Sequence, residues 1–489
     1  MGVCFLGLAF QAREGWRTPG LFAYHRSMSD ALSPELLDQS AGAIAEALAA
    51  RRVGALELTE AAISRIETRD QRLNAVVVRD FDRAREAAKA ADEALAAGQR
   101  GPLLGVPMTV KESNNVAGLR TCWGTPMFGD WKAIADAVAV ARLKAAGAII
   151  LGKTNVPPFL ADWQSNNPIY GRTRNPWNLE RTPGGSSGGA AAAVASGMSP
   201  LELGSDIGGS IRVPAAFCGI YGHKPSYELV PSRGHQPPGI DGAPAPLAVV
   251  GPLARTAADL DLALDVLAGP DGDTAKGWRL ALPAPRHARL ADYRVLILDQ
   301  HPAAATDGEV RAALANLAAD LERAGATVAR SSPLLPDLAA VHATYGAMLN
   351  TVMTRGSPQP APVDAHGWLD LLDTQLGLQR RWAALAEAFD VVIAPAFGRT
   401  AYPHDDEPDT ARRVQIIDGA PTPYFDQLAW PGIATLLSLP ATAVPVGLSA
   451  DGMPIGAQII GAALEDRTTI HFAKLLEHAF GGFRAPPGL

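Results

Sequence analysis

Two hydrophobic periods alternate along this chain. From Ala41 to Ala50 and from Thr59 to Ile66 apolar residues recur at helical spacing, and Thr59 is the expected N-cap before Ala62, Ile63 and Ile66. Residues 82–97, rich in Ala, Glu, Lys and Arg, predict an exposed helix. Leu104 to Lys111 then reads as a short buried strand with Lys111 at its C-terminal end. Asp136 to Ala146 predicts a helix that Gly147 stops, and Ala148 to Leu151 a buried strand. Residues 164–189 have no period and many Asn, Pro, Gly and Ser, which predicts a long loop. Long loops in compact domains tend to carry function.

A helix over Ala190 to Ala195, a strand over Leu201 to Leu203, a turn from Gly204 to Gly209 and a helix from Ser210 follow. Tyr293–Leu298, Val391–Ala394 and Thr442–Val446 predict further strands. Val310, Leu314, Leu317 and Leu321 share a helix face that ends at Gly325. Residues 340–430 are less regular and are a candidate lid. Strands alternating with helices indicate an α/β core. There is no internal repeat and no linker that forces separate domains, so residues 28–489 are expected to form one domain. Residues 1–27 read as an over-extended, unstructured start before Met28.

Composition narrows the function. Hydrophobic residues make up 47% of the 489 and charged residues 19%, a packed globular balance. The formal net charge of -7 supplies no basic field for a phosphate backbone, so nucleic acid is not an expected ligand. Cys4, Cys122 and Cys218 are too few for a disulfide framework and fit a reducing, cytoplasmic setting. No CxxC pair and no HExxH occurs, so no metal is expected. No apolar run reaches the roughly 20 residues that span a bilayer. The apolar start over residues 1–10 is short and lacks a positive flank.

Two motifs match patterns whose physics they do not meet. Gly147 to Thr154 fits the phosphate-binding P-loop letter for letter. A P-loop needs a flexible bend whose N–H groups wrap a phosphate, whereas Ala148 to Leu151 are apolar, as a buried strand requires. Gly184 to Gly188 fits the GxSxG nucleophile elbow, which needs a strand just before the serine. Arg181-Thr182-Pro183 is loop, and His223, His235 and His301 have no telling context as a partner base.

The segments Pro183-Gly184-Gly185-Ser186-Ser187-Gly188-Gly189 and Gly204-Ser205-Asp206-Ile207-Gly208-Gly209-Ser210-Ile211-Arg212-Val213-Pro214 flank one Ala-rich helix. Either alone reads as a flexible turn. Together they suggest chemistry. Glycines let backbone N–H groups approach a substrate. Ile207, Gly208, Gly209 and Ser210 would offer such donors at a helix start, where developing negative charge is best stabilised. Ser210 would then set a nucleophilic hydroxyl beside an oxyanion hole.

A serine needs a base. Lys111 is a candidate, although a lysine in that place is more often an ordinary exposed strand-end residue. As a base it must be neutral. From about 10.4, half-neutrality at pH 7 requires a depression of roughly 3.4 pH units, or about 4.6 kcal/mol. Burial can supply that much.

These segments resemble the amidase signature family. The resemblance also takes in Gly105-Val106-Pro107 through Lys111, Gly152-Lys153-Thr154-Asn155, Arg174-Asn175-Pro176-Trp177 and Phe217-Cys218-Gly219. Near the C-terminus Leu439-Pro440-Ala441 and Gly452-Met453-Pro454-Ile455-Gly456 extend it, so that it spans roughly residues 40–475. The resemblance implies an α/β fold with a large mixed, twisted central sheet covered by helices on both faces. It implies a Ser–cisSer–Lys triad without cofactor. Ser210 aligns with the nucleophile, Lys111 with the general base, and Ser186, after a cis peptide bond from Gly185, with the bridging serine. Ser187 is expected to support the lysine, and Gly185, Asp206 and Arg212 the site as a whole.

The implied activity is hydrolysis of a carboxamide through an acyl-serine, with side activity on esters or carbamates. The alternative is the catalytic A-type subunit of a glutamine-dependent amidotransferase complex. After Lys224-Pro225 that type of subunit typically continues with a Thr-Tyr-Gly-Arg-Val-Ser-Arg-like run, whereas this chain has Ser226 to Gly239 reading SYELVPSRGHQPPG. The difference argues against glutamine on charged tRNA. The expected partner is a small-molecule amide with an apolar or aryl part; no membrane is expected, and a homodimer is compatible. Trp123, Phe128, Trp131, Phe159, Trp163 and Tyr170 are aromatic candidates for a pocket wall, although such residues usually serve packing.

Overall fold

The computed structural model describes residues 35–240, 242–356 and 361–488. The expected N-terminal extension and its boundary at Met28 lie outside them. Among the described residues eleven strands form one sheet: β1 (Val76–Arg79), β2 (Pro107–Lys111), β3 (Ile149–Thr154), β4 (Leu201–Asp206), β5 (Tyr221–Lys224), β6 (Val249–Ala254), β7 (Arg294–Ile297), β8 (Thr327–Ala329), β9 (Val391–Pro395), β10 (Ala441–Leu448) and β11 (Pro454–Ile460). Their spatial order is β1-β3-β2-β4-β6-β5-β10-β11-β9-β7-β8. The sheet is mixed: β2 lies parallel to β3 and β4, β4 is antiparallel to β6, and β9 is parallel to β7.

Strand alternation creates two cores. Val295, Ile297, Val391, Ile393, Ala457 and Ile459 face one, shared with helices Ala55–Leu73, Ala257–Leu267 and Asp466–Phe480. Leu296, Val392, Ala394 and Ile460 face the other, closed by helices Leu338–Met353, Ala365–Ala388 and Ala429–Leu436. Helices therefore cover both faces of the mixed sheet, as the α/β expectation requires. Among the described residues no helix is long and apolar enough to cross a membrane.

Several local expectations change. Thr59 is not an N-cap: it is buried inside helix Ala55–Leu73, whose first N–H groups are capped by Asp92, with Ala55 N–H at 2.6 Å and Leu56 N–H at 3.0 Å. That cap comes from a distant helix and leaves no local signal. Residues 340–430 are more regular than expected: they hold two packed helices, the second 24 residues long, followed by strand β9 and a stretch of turns with a short hairpin. Leu369, Leu372 and Leu376 lie exposed on that helix, and their hydrophobicity blurs the period. The strand at Leu201 runs on to Asp206 because Gly204 and Ser205 pair with Gly251 and Val250 of β6. The next helix begins at Arg212, so Ser210 lies in the turn between them.

Candidate active site

Lys111 ends β2, a strand buried along its whole length, and its side chain is 0% exposed. The ordinary reading of an exposed strand-end lysine is therefore wrong. The amine Nζ lies 2.7 Å from Ser186 Oγ and 2.9 Å from Ser205 Oγ. Burial pulls its pKa down from 10.5 to about 7, opposed in part by the charges of Asp206 and Glu202.

The first glycine-serine segment is held by close packing. Gly184 has φ +84°, and a Cβ there would stand 2.7 Å from Pro214 Cα. Gly185 joins Ser186 through a cis peptide bond. Ser187 N–H donates to Ser210 O at 3.2 Å, which ties the two segments together. Ser187 Oγ donates to Ser205 O at 3.3 Å. The expected support of the lysine by Ser187 is thus corrected: the second hydroxyl on the amine belongs to Ser205, and Ser187 fixes the Ser205 backbone.

Asp206 organises the second segment. Its carboxylate accepts Gly209 N–H at 2.9 Å, Ile211 N–H at 3.0 Å, and Arg212 Nε at 3.0 Å and Nη2 at 2.8 Å. Burial pushes this carboxyl up, but the Arg212 charge and the donated hydrogen bonds outweigh it, and its pKa falls to about 2. Arg212 is itself fully buried and reaches Pro431 O, Gln458 Oε1 and Thr435 Oγ1.

This arrangement revises the donor set for an oxyanion. Gly209 N–H is taken by Asp206, which removes it from the expected four. The N–H groups of Ile207, Gly208 and Ser210 make no hydrogen bond among the described residues. Tyr345 OH donates to Ile207 O at 2.7 Å, and Trp163 Nε1 to Gly208 O at 2.9 Å. Because the peptide is planar and trans, a fixed Ile207 carbonyl fixes the Gly208 N–H on the opposite side. Ser210 is 5% exposed, and its Oγ makes no hydrogen bond among the described residues.

Sequence reasoning missed Ser205, Glu202, Tyr345 and the role of Trp163. Ser205 belongs to the second glycine-serine segment, and the strand that aims it forms only by pairing with β6. Glu202 stands between Leu201 and Leu203 with nothing to mark it as functional. Tyr345 arrives from a helix more than a hundred residues downstream. Ser113 Oγ and His235 Nε2 are 2.9 Å apart, and the His235 ring packs 5.3 Å from Trp123. His235 belongs to the divergent run after Lys224-Pro225; burial, and then the Lys111 charge, lower its pKa to about 3. The P-loop look-alike is strand β3, with Lys153 Nζ donating to Arg120 O and Thr121 Oγ1. Trp163 packs with Phe217, Phe397 and Tyr402, and Phe128 sits edge-on to Phe159. A surface cavity of about 610 Å³ lined by Arg142, Pro270 and Trp278 shares no residue with this site.

The profile of the amidase family matches residues 57–358 and 344–470. The chain belongs to the amidase signature family. It is similar to the A-type subunit of the glutamyl-tRNA(Gln) amidotransferase of Roseiflexus castenholzii, 36% identical over 458 residues that cover 87% of this chain and 92% of that protein. It is 37% identical to a Mycobacterium tuberculosis protein named "Putative amidase AmiB2", over 477 residues covering 90% of this chain and 96% of that one. The crystal structure of a bacterial aryl acylamidase of the amidase signature family superposes with a TM-score of 0.77 at 26% identity, covering 92% of this chain and 99% of that one. As an amidase-family hydrolase, this chain acts on C–N bonds.

Proposed function

We propose that this amidase signature chain is a free-standing amidase that hydrolyses a non-peptide carboxamide through an acyl-Ser210 intermediate. The observation that carries this reading is the 2.7 Å contact between a fully buried Lys111 amine and the Ser186 hydroxyl. An ammonium donates along that contact. A neutral amine instead accepts the Ser186 proton there, so one geometry serves both protonation states.

The reaction begins at the lysine. Neutral Lys111 takes the Ser186 proton while Ser186 takes the Ser210 proton. Ser210 Oγ bonds to the carbonyl carbon, and the N–H groups of Ile207, Gly208 and Ser210 meet the oxyanion. Lys111 returns the proton through Ser186 to the leaving nitrogen, the C–N bond breaks, and the amine departs. Water enters by the same relay, cleaves the acyl-Ser210 ester and releases the acid. Gly185, Ser187, Asp206 and Arg212 hold the two segments in place. No cofactor or metal takes part. Half-buried Ile207 and Leu428, the latter beside Gly208, support an apolar or aryl part in the substrate. Esters and carbamates fit the same steps. The free buried thiols Cys122 and Cys218 fit a cytoplasmic setting.

The second reading is the A-type subunit of an amidotransferase, favoured by the 36% identity to such a protein. The divergent run that carries His235 into the neighbourhood of Lys111 favours the first. A panel of amides, anilides, esters, carbamates and glutamine, offered to the purified chain alone and in the presence of a chelator, separates them. Amide hydrolysis by the chain alone supports the free-standing amidase. Glutaminase activity that needs a copurifying partner overturns it.

A further inference from the structure

Glu202 is a buried carboxyl that the acyl-transfer steps leave unused. It pairs with Thr109 in the parallel β2–β4 register, and Lys111 lies two residues further along the same face of β2. Leu203 and Val110, next along each strand, point into the opposite core. Thr154, the β3 partner of Lys111, donates its hydroxyl to Glu202 Oε1 at 2.5 Å. The Glu202 side chain therefore crosses from β4 to β3 past the strand that carries Lys111. Its other oxygen, Oε2, is buried without a hydrogen bond of good geometry, and the nearby Thr109 hydroxyl is the one hydroxyl besides that of Thr154 that favours the charged carboxyl. A carboxylate so weakly satisfied in such a place is more costly than the neutral acid.

We propose that the charge of Glu202, carried on the strand beside Lys111, sets the pH at which that amine becomes a base. The proposal rests on the reading of Lys111 as the general base. The two groups make no direct ion pair among the described residues; they act on each other through their charges, and their protons leave in coupled steps. Burial raises the Glu202 carboxyl to about 8, with the Thr109 and Thr154 hydroxyls and the Lys111 charge pulling the other way. Around the pair, Asp206 faces the amine from the end of β4, His235 from the loop after β5, and Arg212 and Lys224 act on Asp206. Asp206 is already committed to Arg212, which leaves Glu202 as the carboxyl free to change protonation.

The test needs no knowledge of the substrate. The second-order rate of Ser210 modification by a fluorophosphonate is measured from pH 5 to pH 10 in the wild type, Glu202→Gln and Lys111→Ala. A glutamine cannot become an anion, so it cannot hold the ammonium form. The expected result is that the acidic limb of Glu202→Gln moves to lower pH by on the order of one unit and narrows to a single ionisation. An unmoved limb in Glu202→Gln, with Lys111→Ala strongly slowed, overturns the role of Glu202 alone. An undiminished rate in Lys111→Ala overturns the underlying reading instead. Should Glu202→Gln not fold, infrared spectra of wild type carrying ¹³C-glutamate decide, with Glu477→Gln removing the signal of a second glutamate that burial raises. A protonated carboxyl band at pH 7 that ionises with the rate limb supports the proposal, and full ionisation of the glutamates at pH 7 overturns it.

Discussion

Lys111 Nζ lies 2.9 Å from the hydroxyl of Ser205, a residue of the adjacent strand whose backbone is gripped by Ser187. The amine thus has two hydroxyl neighbours; in the proposed relay Ser186 passes the proton and Ser205 orients the amine. Ser205→Ala removes the orienting contact and leaves the relay. A net hydrogen bond of about 1.4 kcal/mol corresponds to about a tenfold fall in kcat/KM. Steady-state kinetics on any amide found by the panel checks this.

The relay itself tolerates far less. Lys111→Ala and Ser186→Ala are each expected to lower kcat/KM by at least about 10²-fold, within the usual range for general-base loss. Thermal melts of both variants should show a persisting fold. Full activity in Ser186→Ala would remove that serine from the proton path.

The pH profile has a definite sign. Burial lowers the Lys111 pKa from 10.5 to about 7, so the amine is charged and inactive below that value and neutral above it. kcat/KM should rise with pH on the acidic side and level off above about 7. A depressed lysine also makes the unfolded state bind the extra proton between about 7 and 10.5, so this group's contribution to stability rises with pH through that window. Lys111→Met should abolish both the rate limb and that part of the stability slope, read by denaturant titration at several pH values.

Asp206→Asn should be severe for a different reason. The Asp206–Arg212 pair is fully buried on both sides. Removing one charge leaves the other uncompensated, a change that typically costs about 3–5 kcal/mol. Urea unfolding of Asp206→Asn against the wild type measures this. Activity should fall as well, because the same carboxylate fixes Gly209 and the turn that carries Ser210.

Tyr345→Phe tests the turn more gently. It deletes the hydrogen bond to Ile207 O and with it the restraint on the Gly208 N–H. The expected outcome is a several-fold loss in kcat with KM nearly unchanged, since an oxyanion donor acts in the transition state.

Much of this site could be read from residue order, because its parts are local. The two glycine-serine segments and the strand leading to Lys111 carry their own signals of flexibility and apolarity. What the order of residues hid depends on distant pairing. Gly204 and Ser205 look like a turn until β6 pairs with them, and that pairing aims Ser205 at the amine. Gly209 looks like a free donor until the Asp206 side chain folds back on it. Thr59 looks like a helix start until Asp92 supplies the cap from another helix. In the fold, leucines on its solvent face obscure the long helix at Ala365–Ala388, β1, β5 and β8 are only three or four residues long, and β6 and β11 carry Gly and Pro that break the strand pattern.

The most direct test is to find where the acyl group goes. The purified protein is mixed with an activated acyl ester, quenched in acid within the first turnover, digested and examined by peptide mass spectrometry. The account predicts one acyl adduct, on Ser210, absent from Ser210→Ala. An adduct on Ser186, or turnover with no acylated serine, would contradict it.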